Sequence, residues 1–259
     1  MKFKTQDQVT LDYTDQGTGQ PVVILTGLGG VKEIWRQQIS ALLTAGYRVI
    51  NFDCRNQGQS EHTAKGRRIS RHAQDLAELM AALQLEQVIL LGNSMGAATI
   101  FAYVSLYGTQ HVVKIIDVDQ SLQMVNTAEW VYGFKQLTWT NFYSYIKQPL
   151  GRSTFKHIDD ETYRQIRPIQ QKYPYDATLN LPFLVDHATQ NWCDVIAGLQ
   201  CPILFVAGEQ SPYFDSAFAS MAATLAPLGQ ATVIANSGHI VMAEQPVAFN
   251  QALLTFLAQ

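Results

Sequence analysis

Six short runs of aliphatic and β-branched residues recur along the chain, with helix-like stretches between most of them. The runs are VVILTG (22–27), YRVINFD (47–53), QVILLG (87–92), VVKIID (112–117), PILFVAG (202–208) and ATVIAN (231–236). Most are apolar throughout, which is typical of parallel strands covered on both faces. The alternation predicts an α/β fold with a mostly parallel central sheet and helices on both faces. Before them, KFKTQ and TLDYTD alternate in polarity and predict a hairpin.

One long segment, 121–199, breaks this alternation. It is rich in aromatic residues and holds helical stretches such as TAEWVYGFKQLTWTNFYSYI (127–146) and ETYRQIRPIQQKY (161–173), but no comparable strand. An insertion between two parallel strands lies over their carboxyl edge, where such folds bind ligands. We therefore expect a core in two parts, 1–120 and 200–259, and a helical cap at 121–199. Most of its aromatic rings should pack the cap onto the core, and a few should line a pocket.

Composition narrows the possible partners. The chain has 259 residues, 47% of them apolar and 15% charged, which is enough for one large domain with a sizeable core. A net charge of -3 without a basic run disfavours binding to nucleic acid or an anionic membrane. The N-terminus lacks the apolar region of a signal peptide and no apolar run approaches about 20 residues, so we expect a soluble, cytoplasmic protein. Its partner should be a small molecule, and its oligomeric state stays open.

The cysteines indicate neither a disulfide framework nor a zinc site. Cys54, Cys193 and Cys201 form an odd set with no CxxC pair and no metal-ligand spacing. We expect buried or idle thiols. No metal ion or organic cofactor is implied.

The strongest chemical signal is LLGNSMGAAT, in which residues 92–96 match G-x-S-x-G between a predicted strand and a predicted helix. This context predicts a tight, strained turn that exposes the Ser94 hydroxyl at the edge of the sheet. Gly92 and Gly96 would leave room for the neighbouring strand and helix. The Met95 N–H would then lie at a helix N-terminus, where a developing oxyanion is stabilised.

Two further loops complete a candidate active site. LTGLGG (25–30) follows the first central strand, and the Leu28 N–H is the candidate second oxyanion donor. NSGHIVMAEQP (236–246) follows the last strand. Its His239 is placed to act as general base toward Ser94, since the serine precedes the histidine in the chain order expected for this motif.

Together with FDCRNQGQS (52–60), which is similar to a D-x-R-G-x-G-x-S turn, these motifs resemble α/β-hydrolase-fold enzymes along essentially the whole chain. Within that superfamily the sequence is most similar to small esterases and non-haem haloperoxidase-like proteins. Thr26-Gly27 replaces the common His-Gly of the oxyanion loop, and Asn56 replaces a usual glycine. The first change affects substrate choice more than catalysis. Asp53, Arg55 and Ser60 are expected to hold the turn together.

The acidic partner of His239 is not where the resemblance implies. In VAGEQSPYFD (206–215), serine occupies position 211 in place of the usual aspartate. Asp215 is the expected N-cap of the next helix. In the superfamily, a glutamate at the position of Glu209 is seldom the acid that pairs with the catalytic histidine, and Asp194 has no counterpart.

Asp117 and Asp119 remain, after the strand that follows the Ser94 helix. On an extended strand both side chains would point to the same face of the sheet, so the alternation of side-chain directions does not decide between them. Asp119 lies further beyond the apolar run and 25 residues after Ser94. That spacing resembles the cofactor-free dioxygenases of this superfamily, so we favour Asp119 and keep Asp215 as the main alternative.

These residues predict hydrolysis of a small carboxylic ester through an acyl-enzyme on Ser94. Three alternatives stay open: a perhydrolase or haloperoxidase-like enzyme, a cofactor-free dioxygenase, and a ligand sensor with slow turnover. A haloalkane dehalogenase is disfavoured, since it would need an aspartate in place of Ser94. The acyl and alcohol groups are not indicated.

Overall fold

Eight strands form one sheet in the computed structural model, which describes residues 1–259. The strands are β1 (Lys2–Lys4), β2 (Thr10–Gln16), β3 (Pro21–Leu25), β4 (Arg48–Phe52), β5 (Val88–Asn93), β6 (Val112–Val118), β7 (Ile203–Gly208) and β8 (Gly229–Ile234). Their order is β1-β2-β4-β3-β5-β6-β7-β8. β1 and β2 are joined antiparallel, β2 pairs antiparallel with β4, and the other pairs are parallel. The predicted hairpin and the mostly parallel sheet are confirmed.

Helices cover both faces of this sheet. They are a 3-10 turn (Lys32–Trp35), α1 (Arg36–Thr44), α2 (Ile69–Ala82), α3 (Met95–Tyr107), α4 (Phe142–Tyr145), α5 (Asp160–Lys172), α6 (Ala177–Ala188), α7 (Cys193–Ala197), α8 (Ala217–Leu225), α9 (Val241–Glu244) and α10 (Pro246–Leu257). None combines the length and the hydropathy that crossing a lipid bilayer requires.

The strands divide their side chains between two apolar cores. On β3, Val23 and Leu25 join the core formed with α2, α3 and α8, while Val22 and Ile24 join the core formed with α1 and α10. Successive strand residues point to opposite faces, so a continuous apolar run can fill both layers. The first core continues into the insert, which we define as residues 121–199.

Parallel register brings the ends of three strands to one edge of the sheet. Asn93 of β5 pairs with Val118 of β6, and Val118 pairs with Val206 of β7. The residues that follow β5 and β6, Ser94 and Asp119, therefore lie side by side at the carboxyl edge. This edge is where ligands bind in open α/β sheets.

The insert is less helical than its sequence indicates. Helix was predicted over 127–146, and this was wrong: only Phe142–Tyr145 is helical there. The Asn126 side chain holds a loop instead, because it accepts from the Gly133 N–H and donates to the carbonyls of Lys135 and Leu137 at 2.9–3.0 Å. Aromatic, β-branched and glycine residues in this stretch favour helix only weakly, so these loop bonds prevail. Helix α5 formed as predicted.

Helix α6 (Ala177–Ala188) was not predicted from the sequence. Pro182 lies inside it and interrupts the sequence pattern of a helix. Asp176 caps its N-terminus by accepting from the Leu179 N–H at 2.8 Å.

Candidate active site

Ser94 lies on a strained turn between β5 and α3. Its backbone has φ 54° and ψ −127°, in the left-handed half of conformational space that residues with side chains rarely adopt. A side chain at Gly92 would collide with the backbone of Ala97 in α3, and one at Gly96 would collide with the backbone of Leu25 in β3. Both glycines are therefore required by close approach, as the sequence indicated.

His239 and Asp119 form a buried pair beside this turn. The His239 Nδ1 and Asp119 Oδ2 atoms are 2.7 Å apart, and the two residues are 5% and 0% exposed. The Asp119 carboxylate also accepts from the Gly208 N–H at 2.9 Å and from the Ser211 hydroxyl at 2.6 Å. The ring of Tyr213 meets the imidazole edge-on, with centroids 4.6 Å apart. Ser211 thus contacts Asp119 from the position where an aspartate was expected.

Asp117, two residues earlier, has different surroundings. It is fully buried, Oδ1 accepts only the Gln120 N–H at 3.2 Å, and Oδ2 has no hydrogen-bond partner. Burial, and after it the negative charge of Asp119, raises the pKa of Asp117 well above its usual value. Asp117 makes no contact with His239, and its burial disfavours the charged form that would stabilise an imidazolium.

The other carboxylates considered from the sequence lie elsewhere. Asp215 is exposed and lies one residue before Ser216, the N-cap of α8, where its side chain accepts the Ala217 N–H of the first turn at 2.9 Å. Glu209 is exposed and accepts the Asn236 N–H at 2.9 Å. Asp194 belongs to the first turn of α7 in the insert. None of the three contacts the His239 ring, so Asp119 is the carboxylate that the structure brings to it.

Two backbone N–H groups beside Ser94 have no hydrogen-bond acceptor in the protein, those of Leu28 and Met95. Both residues line the same cavity as Ser94. A Cβ atom added at Gly27 would come within 2.9 Å of the Ser94 Cβ, so the loop lies directly against the serine. Gln57 holds this loop by donating to the Gly27 carbonyl at 2.9 Å. The arrangement offers two donors to an oxygen bound next to Ser94.

Asn93 occupies the variable position before the serine in the G-x-S-x-G motif. Its side-chain amide donates to the carbonyls of Val118 at 2.9 Å and His239 at 3.1 Å. Asn93 therefore joins the Ser94 turn, the end of β6 and the histidine loop. A short polar side chain inside a buried strand end is the signal that could have indicated this role.

Glu244 was also overlooked, although it lies five residues after His239. Its carboxylate, 6% exposed, accepts the N–H groups of Gly238, Ile240, Phe155 and Lys156 at 2.7–3.2 Å. The first two flank His239 and the last two belong to the insert. A lone acidic residue directly after the apolar run IVMA (240–243) was the available signal.

The turn at 52–60 is tightly bonded, as the sequence predicted. The Ser60 hydroxyl donates to the Asp53 carbonyl at 2.5 Å, and the guanidinium of Arg55 pairs with Asp75 at 2.7 Å. Asn56 has φ 65°, which explains why glycine is usual at this position and why asparagine can replace it. Burial raises the pKa of Asp53 to about 6.

A cavity of about 430 Å³ opens over these groups. It is lined by 28 residues, 16 of them hydrophobic, and none is Asp, Glu, Lys or Arg. Ser94, His239, Leu28 and Met95 all contribute to its wall. Of the insert's aromatic residues, Phe134, Tyr163 and Tyr175 reach the cavity. No three His, Cys, Asp or Glu side chains are grouped as a metal ion would require.

Residues 20–246 match the sequence model of the alpha/beta hydrolase fold. This chain belongs to the α/β-hydrolase fold family. Curated relatives include a non-heme chloroperoxidase from Kitasatospora aureofaciens, 37% identical over 40% of this chain and 38% of that protein. An sn-1-specific diacylglycerol lipase from Danio rerio is 24% identical over 99% of this chain and 84% of that protein. Membership of this family supports a hydrolase.

Solved structures agree on the α/β-hydrolase fold. An esterase from Exiguobacterium antarcticum superposes with a TM-score of 0.87 at 21% identity, covering 100% of this chain and 99% of that one. A bromoperoxidase from Bacillus anthracis gives a TM-score of 0.83 at 22% identity, with complete coverage of both chains. Because both identities are below 25%, these similarities show the fold alone.

Proposed function

We propose that this α/β-hydrolase cleaves a small, uncharged carboxylic ester through an acyl-enzyme formed on Ser94. The observation that carries the proposal is the 2.7 Å contact between His239 and Asp119, buried beside the strained Ser94 turn on the wall of one cavity. Nucleophile, base and an acid that orients the base are the three roles that such a mechanism needs.

In the first half-reaction, Ser94 Oγ attacks the ester carbonyl carbon while its proton passes to Nε2 of His239. Asp119 accepts from Nδ1, which fixes the tautomer of the ring and stabilises its positive charge. The imidazolium then gives its proton to the departing alcohol oxygen as the carbon–oxygen bond breaks. The acyl group remains on Ser94.

In the second half-reaction, His239 takes a proton from water, and the hydroxide adds to the acyl carbon. The Ser94 oxygen leaves and regains the proton, which releases the carboxylic acid. In both halves the Leu28 and Met95 N–H groups stabilise the negative oxygen of the tetrahedral intermediate. One such donor is worth on the order of 10²–10³ in kcat in serine hydrolases.

The wall of the cavity argues for an uncharged substrate. A charged acyl or alcohol group would lose its hydration in an apolar pocket that offers no side chain of opposite charge. A cavity of about 430 Å³ lies at the small end of the range for ligand sites, which suits a short ester.

Hydrogen peroxide as the acyl acceptor is a second candidate, because some relatives are named chloroperoxidase or bromoperoxidase. Peroxide would replace water in the second half-reaction and release a peracid. Incubation with acetate and hydrogen peroxide checks this: peracid that forms with the wild type and not with Ser94→Ala would support it.

The nucleophile assignment is tested with Ser94→Ala. We expect this variant to keep the fold and to lose hydrolysis of short p-nitrophenyl esters, by about 10⁶ in kcat, because no acyl-enzyme can form. Circular dichroism and steady-state kinetics are the measurements. Hydrolysis at the wild-type rate by a folded Ser94→Ala protein would refute the mechanism, and an inactive wild type over a panel of esters graded by length would refute the ester function.

A further inference from the structure

His187 of helix α6 stands out among the polar side chains of the insert. Five of these side chains are buried: Ser121, Gln123, Thr162, Asn180 and His187. The first four form hydrogen bonds within the protein. The Nδ1 atom of His187 is inaccessible and has no hydrogen-bond partner, and Nε2, which is not enclosed in this way, forms no hydrogen bond within the protein, although the residue is only 3% exposed. Buried polar groups are nearly always hydrogen-bonded, so an unpartnered imidazole calls for an explanation.

The ring lies on the wall of the cavity that also holds Ser94 and His239. The other buried residues that the insert contributes to this wall are apolar: Met124, Phe134, Ile166 and Leu184. His187 is therefore the single polar side chain in the buried part of the insert that faces the substrate space. The other polar residues that the insert contributes to the cavity are less buried: Ser153 and Thr154 are half-buried, and Tyr163, Gln170 and Tyr175 are exposed.

The ring is neutral at physiological pH. Burial lowers the pKa of His187 to about 4. A neutral imidazole has one donor nitrogen and one acceptor nitrogen. A hydroxyl group can donate or accept, so it satisfies either tautomer, whereas a methyl group of the same size satisfies neither.

We propose that His187 forms a polar subsite that binds a hydroxyl group carried by an otherwise apolar, uncharged ester. The inference rests on the proposed ester hydrolysis at Ser94 and specifies its substrate class. His187 forms no hydrogen bond with Ser94, His239 or Asp119, so the role proposed for it is in specificity and not in bond breaking. The hydroxyl belongs to either the acyl or the alcohol half, and the two halves can be tested separately.

The test compares esters that differ by a hydroxyl in place of a methyl. The acyl arm pairs ethyl 3-hydroxybutyrate with ethyl 3-methylbutyrate, and the alcohol arm pairs 3-hydroxypropyl acetate with n-butyl acetate. The readout is the ratio of kcat/KM for the hydroxylated ester to that of its methyl counterpart. In one arm we expect His187→Leu to lower this ratio about tenfold and His187→Gln to restore part of it, because glutamine also hydrogen-bonds.

His72→Leu is the matched control. His72 is also a buried histidine whose Nδ1 has no partner, and it stacks on Phe183 of α6 with ring centroids 4.2 Å apart, but it does not line the cavity. Its replacement should leave the ratio unchanged. An unchanged ratio for His187→Leu in both arms, or an equal fall for His72→Leu, would overturn the inference.

Binding to the Ser94→Ala protein separates this inference from the proposed function. Calorimetric titration with the same four esters gives a ratio of dissociation constants that needs no turnover. If the wild type hydrolyses none of the esters, the proposed function fails, while a binding preference for the hydroxylated member that disappears in Ser94→Ala/His187→Leu still supports the subsite. Absence of any such preference counts against it.

Discussion

Asp117 and Asp119 carry the same functional group two residues apart, yet they differ in their hydrogen-bond partners. Asp119 follows the end of β6, has φ 56°, and accepts three hydrogen bonds including that of His239. These bonds hold the carboxylate against the His239 ring. Asp117 lies within β6 between β5 and β7, where one oxygen is unpartnered and burial favours the neutral acid.

Replacing each aspartate by asparagine therefore tests which carboxylate orients the His239 ring. We expect Asp119→Asn to lower kcat by about 10³–10⁴, because an amide would favour the wrong tautomer of His239. Asp117→Asn should keep most of the activity. It should also preserve or raise the melting temperature at pH 7–8, because a raised pKa in the folded state costs stability once the pH exceeds the ordinary value for aspartate.

Ester kinetics and thermal unfolding of both variants, with Asp215→Asn as the exposed control, decide the question. A large loss of kcat in Asp215→Asn together with an active Asp119→Asn would contradict the assignment.

At the scale of the elements, helix α9 connects the insert to the histidine loop. A carboxylate has room for about four donors, and Glu244 fills it with the N–H groups of Gly238, Ile240, Phe155 and Lys156. The His239 N–H meanwhile donates to the Ser153 carbonyl at 2.9 Å. Residues 153–156 and 238–240 are thus held as one unit around the imidazole.

Glu244→Gln should loosen this unit, since the amide nitrogen would face backbone N–H groups that need an acceptor. We expect the free energy of unfolding to fall by about 1–3 kcal/mol for the buried groups left unpaired. We also expect kcat to fall about tenfold or more, because small displacements of a catalytic group are costly. Urea unfolding, ester kinetics and amide hydrogen exchange of residues 155 and 156 measure these effects.

Glu209→Gln is the control for this prediction. Glu209 is exposed and accepts a single backbone N–H on the neighbouring loop, so its replacement should change neither stability nor kcat appreciably. Unaltered hydrogen exchange and full activity in Glu244→Gln would show that α9 does not hold the histidine loop.

For the whole molecule, two buried histidines link stability to pH. Burial lowers the pKa of His187 to about 4 and that of His72 to about 3. The unfolded chain protonates both near pH 6.5, so between about pH 6.5 and 4 it binds more protons than the folded protein does. The stability that these neutral rings allow is present above pH 6.5 and is lost as the pH falls toward 4.

Each histidine can reduce the folding equilibrium constant by up to tenfold per pH unit in that window. Asp53 and Asp117, whose pKa values are raised, act in the opposite direction and offset part of this loss in the wild type. The test is therefore the comparison of the wild type with His72→Leu/His187→Leu in urea unfolding at pH 7, 6, 5 and 4, in which the double variant should lose less stability as the pH falls. Equal slopes for the variant and the wild type would mean that these rings are protonated in the folded protein.

The sequence by itself specified the sheet, most helices of the core and the Ser94 turn, because these depend on local patterns. Apolar runs such as VVIL require burial on both faces of the sheet. Gly92 and Gly96 indicate positions where neighbouring backbone comes too close for a side chain. The sequence pattern was misleading in the insert, where side-chain bonds to the backbone and a proline within a helix outweigh it. The loop that Asn126 holds replaced a predicted helix, and Pro182 concealed helix α6.

Only the tertiary structure decided which carboxylate meets His239. Asp119 and His239 are 120 residues apart, and no spacing rule spans that distance. The register of β5, β6 and β7 brings Asp119 beside Ser94, and the loop after β8 brings in the histidine. The serine at position 211 marked the absence of the usual acid, and the fold turned it into a donor to Asp119. The sequence determined which residues were available for chemistry, whereas long-range packing determined which of them meet.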